Sequence, residues 1–172
     1  MTSILKVDSI QNAAGTAAMT IDSSGRVLQP ANPKFSVRLE TSTSANDYTS
    51  TSTSNVAFDT EEFDVGNCVA ISSNVATFTA LVTGYYQFNL SVQLQDMENA
   101  GHVSTYLSID GATTSSSRNN DYRVLEDPQG GTYITLTSSH FIYLTANQTV
   151  NPRLHVHSDT SVVIRVGTRF SG

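Results

Sequence analysis

The chain has no tryptophan, one cysteine and four prolines in 172 residues, and only 14 % of its residues are charged. Each shortage removes a class of protein. Cys68 alone cannot form an intrachain disulfide, so a disulfide-stapled scaffold is excluded. It sits in the apolar run Cys68-Val-Ala-Ile71 with no His or cation beside it in sequence, which reads as a small buried hydrophobe rather than an activated thiol. No stretch approaches the roughly 20 apolar residues of a spanning helix, so no membrane insertion is expected. Lys and Arg number nine against 15 Asp and Glu, scattered singly. A net charge of −6 without a basic cluster argues against nucleic acid and anionic membranes. The first eight residues show no basic region followed by an apolar one, so no secretion signal is read, which suits assembly in a cytoplasm.

Soluble domains usually carry roughly 25 % charge. Here Ser, Thr, Asn and Gln fill the gap, giving a surface suited to packing inside an assembly or to binding neutral polar ligands such as sugars. The apolar residues alternate along short runs, and no window gives a helical period. Ala76–Leu81 alternates, and in Tyr86-Gln-Phe-Asn-Leu-Ser-Val-Gln-Leu-Gln95 the residues Tyr86, Phe88, Leu90, Val92 and Leu94 share a face. Val103–Ile109 runs into the turn signal Asp110-Gly111. Tyr133–Thr137, His140–Leu144, Leu154–His157 and Val162–Val166 follow. Many short strands without intervening helices predict an antiparallel sandwich or barrel. Ahead of them, Met19–Leu28 contains two short apolar runs broken by Ser23-Ser24-Gly25, a β-turn, and Pro30 and Pro33 stiffen a connector. This N-terminal zone is too thinly apolar to fold alone and needs a partner surface. Thr41–Ser54 is low-complexity and polar and reads as a long exposed loop.

Catalytic constellations are almost missing: no Gly-rich phosphate loop, no Gly-x-Ser-x-Gly elbow and no His-Glu-x-x-His occur. His155 and His157 share one strand face and are weak metal candidates, against the plainer reading of two polar side chains outside with Leu154 and Val156 inside. His102 and His140 read as surface or strand-end residues. Asp59, Glu61, Glu62 and Asp64 form an acidic stretch, and Asp121, Glu126 and Asp127 another. Neither has the spacing of a calcium loop. A carboxylate pair for glycoside cleavage would need a cleft, and the usual aromatic sugar platform would include Trp. No enzyme activity, metal or cofactor is expected. Strand aromatics such as Phe78, Tyr86, Phe88, Phe141 and Tyr143 default to core or intersubunit packing. Tyr48 and Tyr122 stand in polar, loop-like stretches. With Asn46, Asp47, Arg118 and Asn120 they are the candidate receptor contacts.

Phe78-Thr-Ala-Leu-Val-Thr-Gly-Tyr-Tyr-Gln-Phe88 resembles the C1q-like signature of Phe followed by Gly-x-Tyr-x-Phe on the next strand. Phe63-Asp-Val-Gly-Asn67, Tyr143-Leu-Thr-Ala-Asn-Gln-Thr-Val150 and Thr168-Arg-Phe-Ser-Gly172 are similar to other parts of that family, from about Phe35 onward. Leu81 departs from the family's usual Pro, and the last strand is expected to be truncated or completed differently. The resemblance implies an all-β, C1q/TNF-like antiparallel jelly-roll of ten strands, over 35–172, that forms a homotrimer, with Phe78, Tyr86, Phe88 and Tyr143 as trimer-packing candidates. Leu5-Lys-Val-Asp-Ser-Ile-Gln-Asn12 and Ala18-Met-Thr-Ile-Asp-Ser-Ser-Gly-Arg-Val27 look like the leader of tailed-phage fibre and virion proteins, especially marine ones. That implies an extended β/loop anchor and connector over 1–34, bound to other virion proteins. The resulting expectation is a trimeric fibre or spike of the virion, assembled in the host cytoplasm, whose C1q-like head meets a host-surface glycan or protein. The alternatives are a capsid decoration or fibre component without a receptor, and a free C1q-like recognition module.

Overall fold

The structure, a computed structural model, describes residues 6–29, 32–41, 47–48, 53–95, 102–111, 118–126, 133–156 and 162–172. Its regular elements there are all strands. β1 (Ser9–Gln11), β2 (Ala17–Ile21) and β3 (Val27–Leu28) form an antiparallel meander. Both of its turns use one device. Asn12 accepts the N–H groups of Ala14 and Thr16, Asp22 accepts those of Ser24 and Arg26, and the glycine three residues on, Gly15 or Gly25, takes φ of +83° or +77°. A short polar side chain folding onto its own backbone, followed by a residue free to enter the left-handed region, is what closes each turn.

The remaining strands are β4 (Lys34–Arg38), β5 (Asp47–Tyr48), β6 (Thr53–Asn55), β7 (Thr60–Val65), β8 (Val69–Ser72), β9 (Val75–Thr79), β10 (Gly84–Gln95), β11 (His102–Ile109), β12 (Arg118–Glu126), β13 (Tyr133–Leu144), β14 (Thr149–Val156), β15 (Val162–Ile164) and β16 (Arg169–Ser171). They make two antiparallel sheets. One runs β5-β15-β10-β16-β4-β7, with β13 on the other edge of β10. The second runs β12-β11-β14-β9-β8, with β6 also paired to β14. The all-β expectation is therefore met by a jelly-roll sandwich. The short last strand is nonetheless central in its sheet, pairing Asn89–Ser91 of β10 on one side and Ser36–Arg38 of β4 on the other.

Strand alternation builds the core. Phe88, Leu90, Val92 and Leu94 of β10 face inward, as do Leu136, Ile142 and Leu144 of β13. Phe35, Phe78, Phe88 and Phe170 interlock with ring centroids 5.0 to 6.3 Å apart, and Phe58 and Tyr86 close the ends of the cluster. Each buried ring is worth roughly 2–3 kcal/mol of transfer free energy, so this cluster is the main cohesive element between the sheets. Gly172 rests against it. A Cβ there would lie 2.9 Å from both Phe35 and Phe88, so only glycine fits.

Two stretches that read as loop in the sequence form strands. The polar stretch Thr41–Ser54 was expected to be loop, yet it contributes β5 to β15 and β6 to β14. Tyr122 and its neighbours were placed in a loop, yet Arg118, Asn120 and Tyr122 lie on β12, paired along β11. In both cases backbone pairing to a neighbour makes the strand, and the side chains carry no apolar alternation that would announce it.

Candidate functional site

The candidate site lies on the outward side of β10 and β13. Their register runs unbroken from Gly84↔Leu144 to Gln95↔Tyr133, so residues opposite one another share a face. The inward set is apolar. The outward set is Tyr85, Gln87, Asn89, Ser91, Gln93 and Gln95 on β10, and Tyr133, Thr135, Thr137, Ser139, Phe141 and Tyr143 on β13. None of these carries a charge. At one end Tyr85 stacks on Phe141 with centroids 5.2 Å apart and planes 3° from parallel, and meets Tyr143 edge-on at 5.1 Å. Tyr85 and Phe141 are each 69 % exposed and Tyr143 is 55 % exposed. Leu81 and Val82, in the turn before β10, are exposed too, and the Tyr86 hydroxyl donates to the Val82 carbonyl at 2.6 Å, which fixes that turn. An ordered aromatic group left in water forfeits several kcal/mol of burial, and such patches mark contact surfaces.

Beside the aromatics, Asn89, Ser91, Thr137, Ser139, Arg169 and Ser171 line a depression of about 470 Å³. Ser139 donates to Asn89 at 3.0 Å. Arg169 binds Glu62 at 2.9 Å, and Glu62 also accepts the Ser36 hydroxyl at 2.7 Å and lies 3.6 Å from Arg38. The Ser36 hydrogen bond first, and the two guanidinium charges after burial's opposing effect, hold the Glu62 carboxyl below its usual range. This face is thus hydroxyl- and amide-rich, with its visible ions compensated.

The other candidates separate from this face. Tyr48 and Asp47 lie on β5 and Arg118, Asn120 and Tyr122 on β12, for which the backbone alone is described, and the two strands belong to different sheets. Asn46 and His157 lie outside the described residues. His155 is half-buried with Nδ1 2.7 Å from Thr53 Oγ1, while Leu154 and Val156 are buried. No group of three or more potential metal ligands converges among the described residues. Phe78 and Phe88, expected to pack between subunits, are buried at 2 % and 0 % inside the protomer, so the trimer-packing assignment fails for them. Tyr86 packs partly against the same core, and of the four only Tyr143 offers a free surface. His140, expected at the surface, is also buried, its Nε2 2.8 Å from Ser138 Oγ, because it falls on the inward parity of β13.

The acidic stretch is structural. Asp59 accepts the N–H groups of Glu40 and Thr41, both at 2.7 Å, while Asp64 accepts those of Cys68 and Val69, both at 3.0 Å. Burial works to raise the Asp64 carboxyl, but the Val69 and Cys68 N–H groups overcome it and hold it below its ordinary value. A depressed carboxyl stabilises the fold above its unfolded value of 3.8, and that contribution is lost as pH falls through the folded value. Asp64→Asn is therefore expected to cost about 1–3 kcal/mol at neutral pH and to flatten the acid limb below about pH 4. Urea midpoints at pH 7 and pH 3 check this; an unchanged difference between the two pH values would show that Asp64 holds nothing.

No protein-family model matches the chain, and no curated protein sequence matches it. Among solved structures, murine APRIL at pH 8.5 aligns with a TM-score of 0.54 at 10 % identity, over 81 % of this chain and 95 % of that one. Murine APRIL at pH 8.0 gives 0.52 at 12 % identity, over 81 % and 95 %. The globular domain of zebrafish complement 1qA protein gives 0.49 at 14 % identity, over 81 % and 94 %. The chain therefore shares the jelly-roll fold of murine APRIL.

Proposed function

We propose that the chain is a non-catalytic, trimeric attachment protein of a tailed-phage virion. The sandwich is its outward head and residues 1–34 are its anchor to other virion proteins. The observation that carries the trimer is the exposed Tyr85–Phe141–Tyr143 stack, set among outward residues of β10 and β13 that carry no charge, which a second copy would cover. A cyclic arrangement closes on itself and leaves no sticky surface to propagate. The virion assignment draws on the leader-like residues Leu5–Asn12 and Ala18–Val27. Support for the head as a recognition module comes from its C1q/TNF-like fold and its low-charge surface, with the receptor a host-surface glycan or protein.

Light scattering on a sizing column tests the assembly: the full chain should run at three times its 18.5 kDa mass. A monomer at every concentration would defeat the trimeric reading. The attachment role is tested by staining host cells with the labelled trimer. An assembly that binds no host cell but coats particles would be a decoration protein instead.

A further inference from the structure

The meander presents a second unpartnered apolar surface. Register places Ile10 beside Met19 and Ile21 beside Val27, and Met19 and Ile21 are two residues apart on β2, so all four share one face. Ile10, Ile21 and Val27 are 50 %, 41 % and 55 % exposed, and with Val7 and Met19 they line an almost wholly apolar crevice of about 40 Å³. A sheet this short, with strands of three, five and two residues, is not expected to persist in water with its apolar face bare. Charge selects no oppositely charged partner for it, since the meander's Asp22–Arg26 pair closes on itself at 2.6 Å.

Position selects the occupant. Ser36 lies level with Ser171 and Asn89 across the sheet, so the start of β4 lies at the same end as Tyr85, Phe141 and Tyr143. Pro33 and Leu81 both stand beside Gly66, each within 4 Å of where a Cβ on it would lie. The connector of residues 29–33 spans at most roughly 16–18 Å. Heads that close on the aromatic stack would therefore release three connectors side by side, holding three meanders at an effective concentration in the millimolar range.

We propose that the apolar face of each meander packs against the same face of the other two copies, continuing the head's threefold contact into the stem. This inference rests on the trimeric reading above. It leaves docking to the particle to the meander's opposite face and edges.

Ile21→Cys and Ala18→Cys, on opposite faces of the same strand, test it in the full chain with a short flexible bis-maleimide. Cys68 gives a quiet background, being 1 % exposed with its thiol pushed up to about 12 by burial and by Asp64. In a sample that light scattering shows to be trimeric, Ile21→Cys should cross-link between chains at least tenfold faster than Ala18→Cys. The amides of β2 should also be protected from hydrogen exchange in the unsubstituted trimer. Equal cross-linking rates with unprotected amides in a verified trimer would overturn the inference alone, leaving the face for another protein. A monomer by light scattering would overturn the trimeric reading and this inference with it.

Discussion

Phe141→Asp should convert the assembled protein into a folded monomer. In the isolated protomer Phe141 is 69 % exposed and touches its neighbours through the outward stack with Tyr85. A polar substitution at such a position leaves protomer stability within about 0.5 kcal/mol. In the proposed trimer the same position would be buried at the centre of an aromatic contact. Losing a ring there costs about 2 kcal/mol or more. The introduced carboxylate adds the penalty of a buried charge, because the outward residues of β10 and β13 include no cation to receive it. At 1.4 kcal/mol per factor of ten, the concentration for half-dissociation should rise more than 100-fold. Light scattering over a dilution series reads the mass and a urea titration reads the fold. A variant that stays trimeric at low concentration would move the subunit contact elsewhere on the sandwich.

What the sequence made legible was whatever alternates strictly. The inward parity of β10 was readable from Tyr86 to Leu94 because five apolar residues at period two admit one burial pattern. The turn at Gly25 was readable because Gly follows two serines. The turn at Ser73-Asn74 was not, since both residues take positive φ, 49° and 61°, without a glycine to announce it. Strands β5, β6 and β12 were missed because Ser, Thr, Asn and Asp do not mark a strand, and pairing partners decide the matter from outside. The aromatic site was half legible. Alternation turns Phe88 inward, but Tyr143 lies in the continuous apolar run Phe141–Leu144, whose parity is settled only by its pairing with β10. His140 and Phe141 are adjacent, and one is buried while the other is exposed for the same reason.

Phe88→Ala should act on the opposite side of the same sheet and unfold the protomer rather than the assembly. Phe88 is fully buried, and its ring meets those of Phe35, Phe78, Tyr86 and Phe170 at 5.0 to 6.3 Å. The backbone of β10 is held on both edges, by β13 and by β16, so it cannot collapse into the space left by a lost ring. The residual cavity is what makes such truncations expensive, at about 3–5 kcal/mol. For a chain of this length that corresponds to a fall in melting temperature of roughly 6–20 °C. Assembly adds a concentration-dependent contribution to any melting temperature, so the comparison belongs in the Phe141→Asp background, where both proteins are monomers. A loss below about 1 kcal/mol there would mean that the ring cluster does not hold the two sheets together. A loss of the expected size there, with Phe88→Ala alone keeping the trimeric mass by light scattering, would separate the face that makes the fold from the face that makes the assembly.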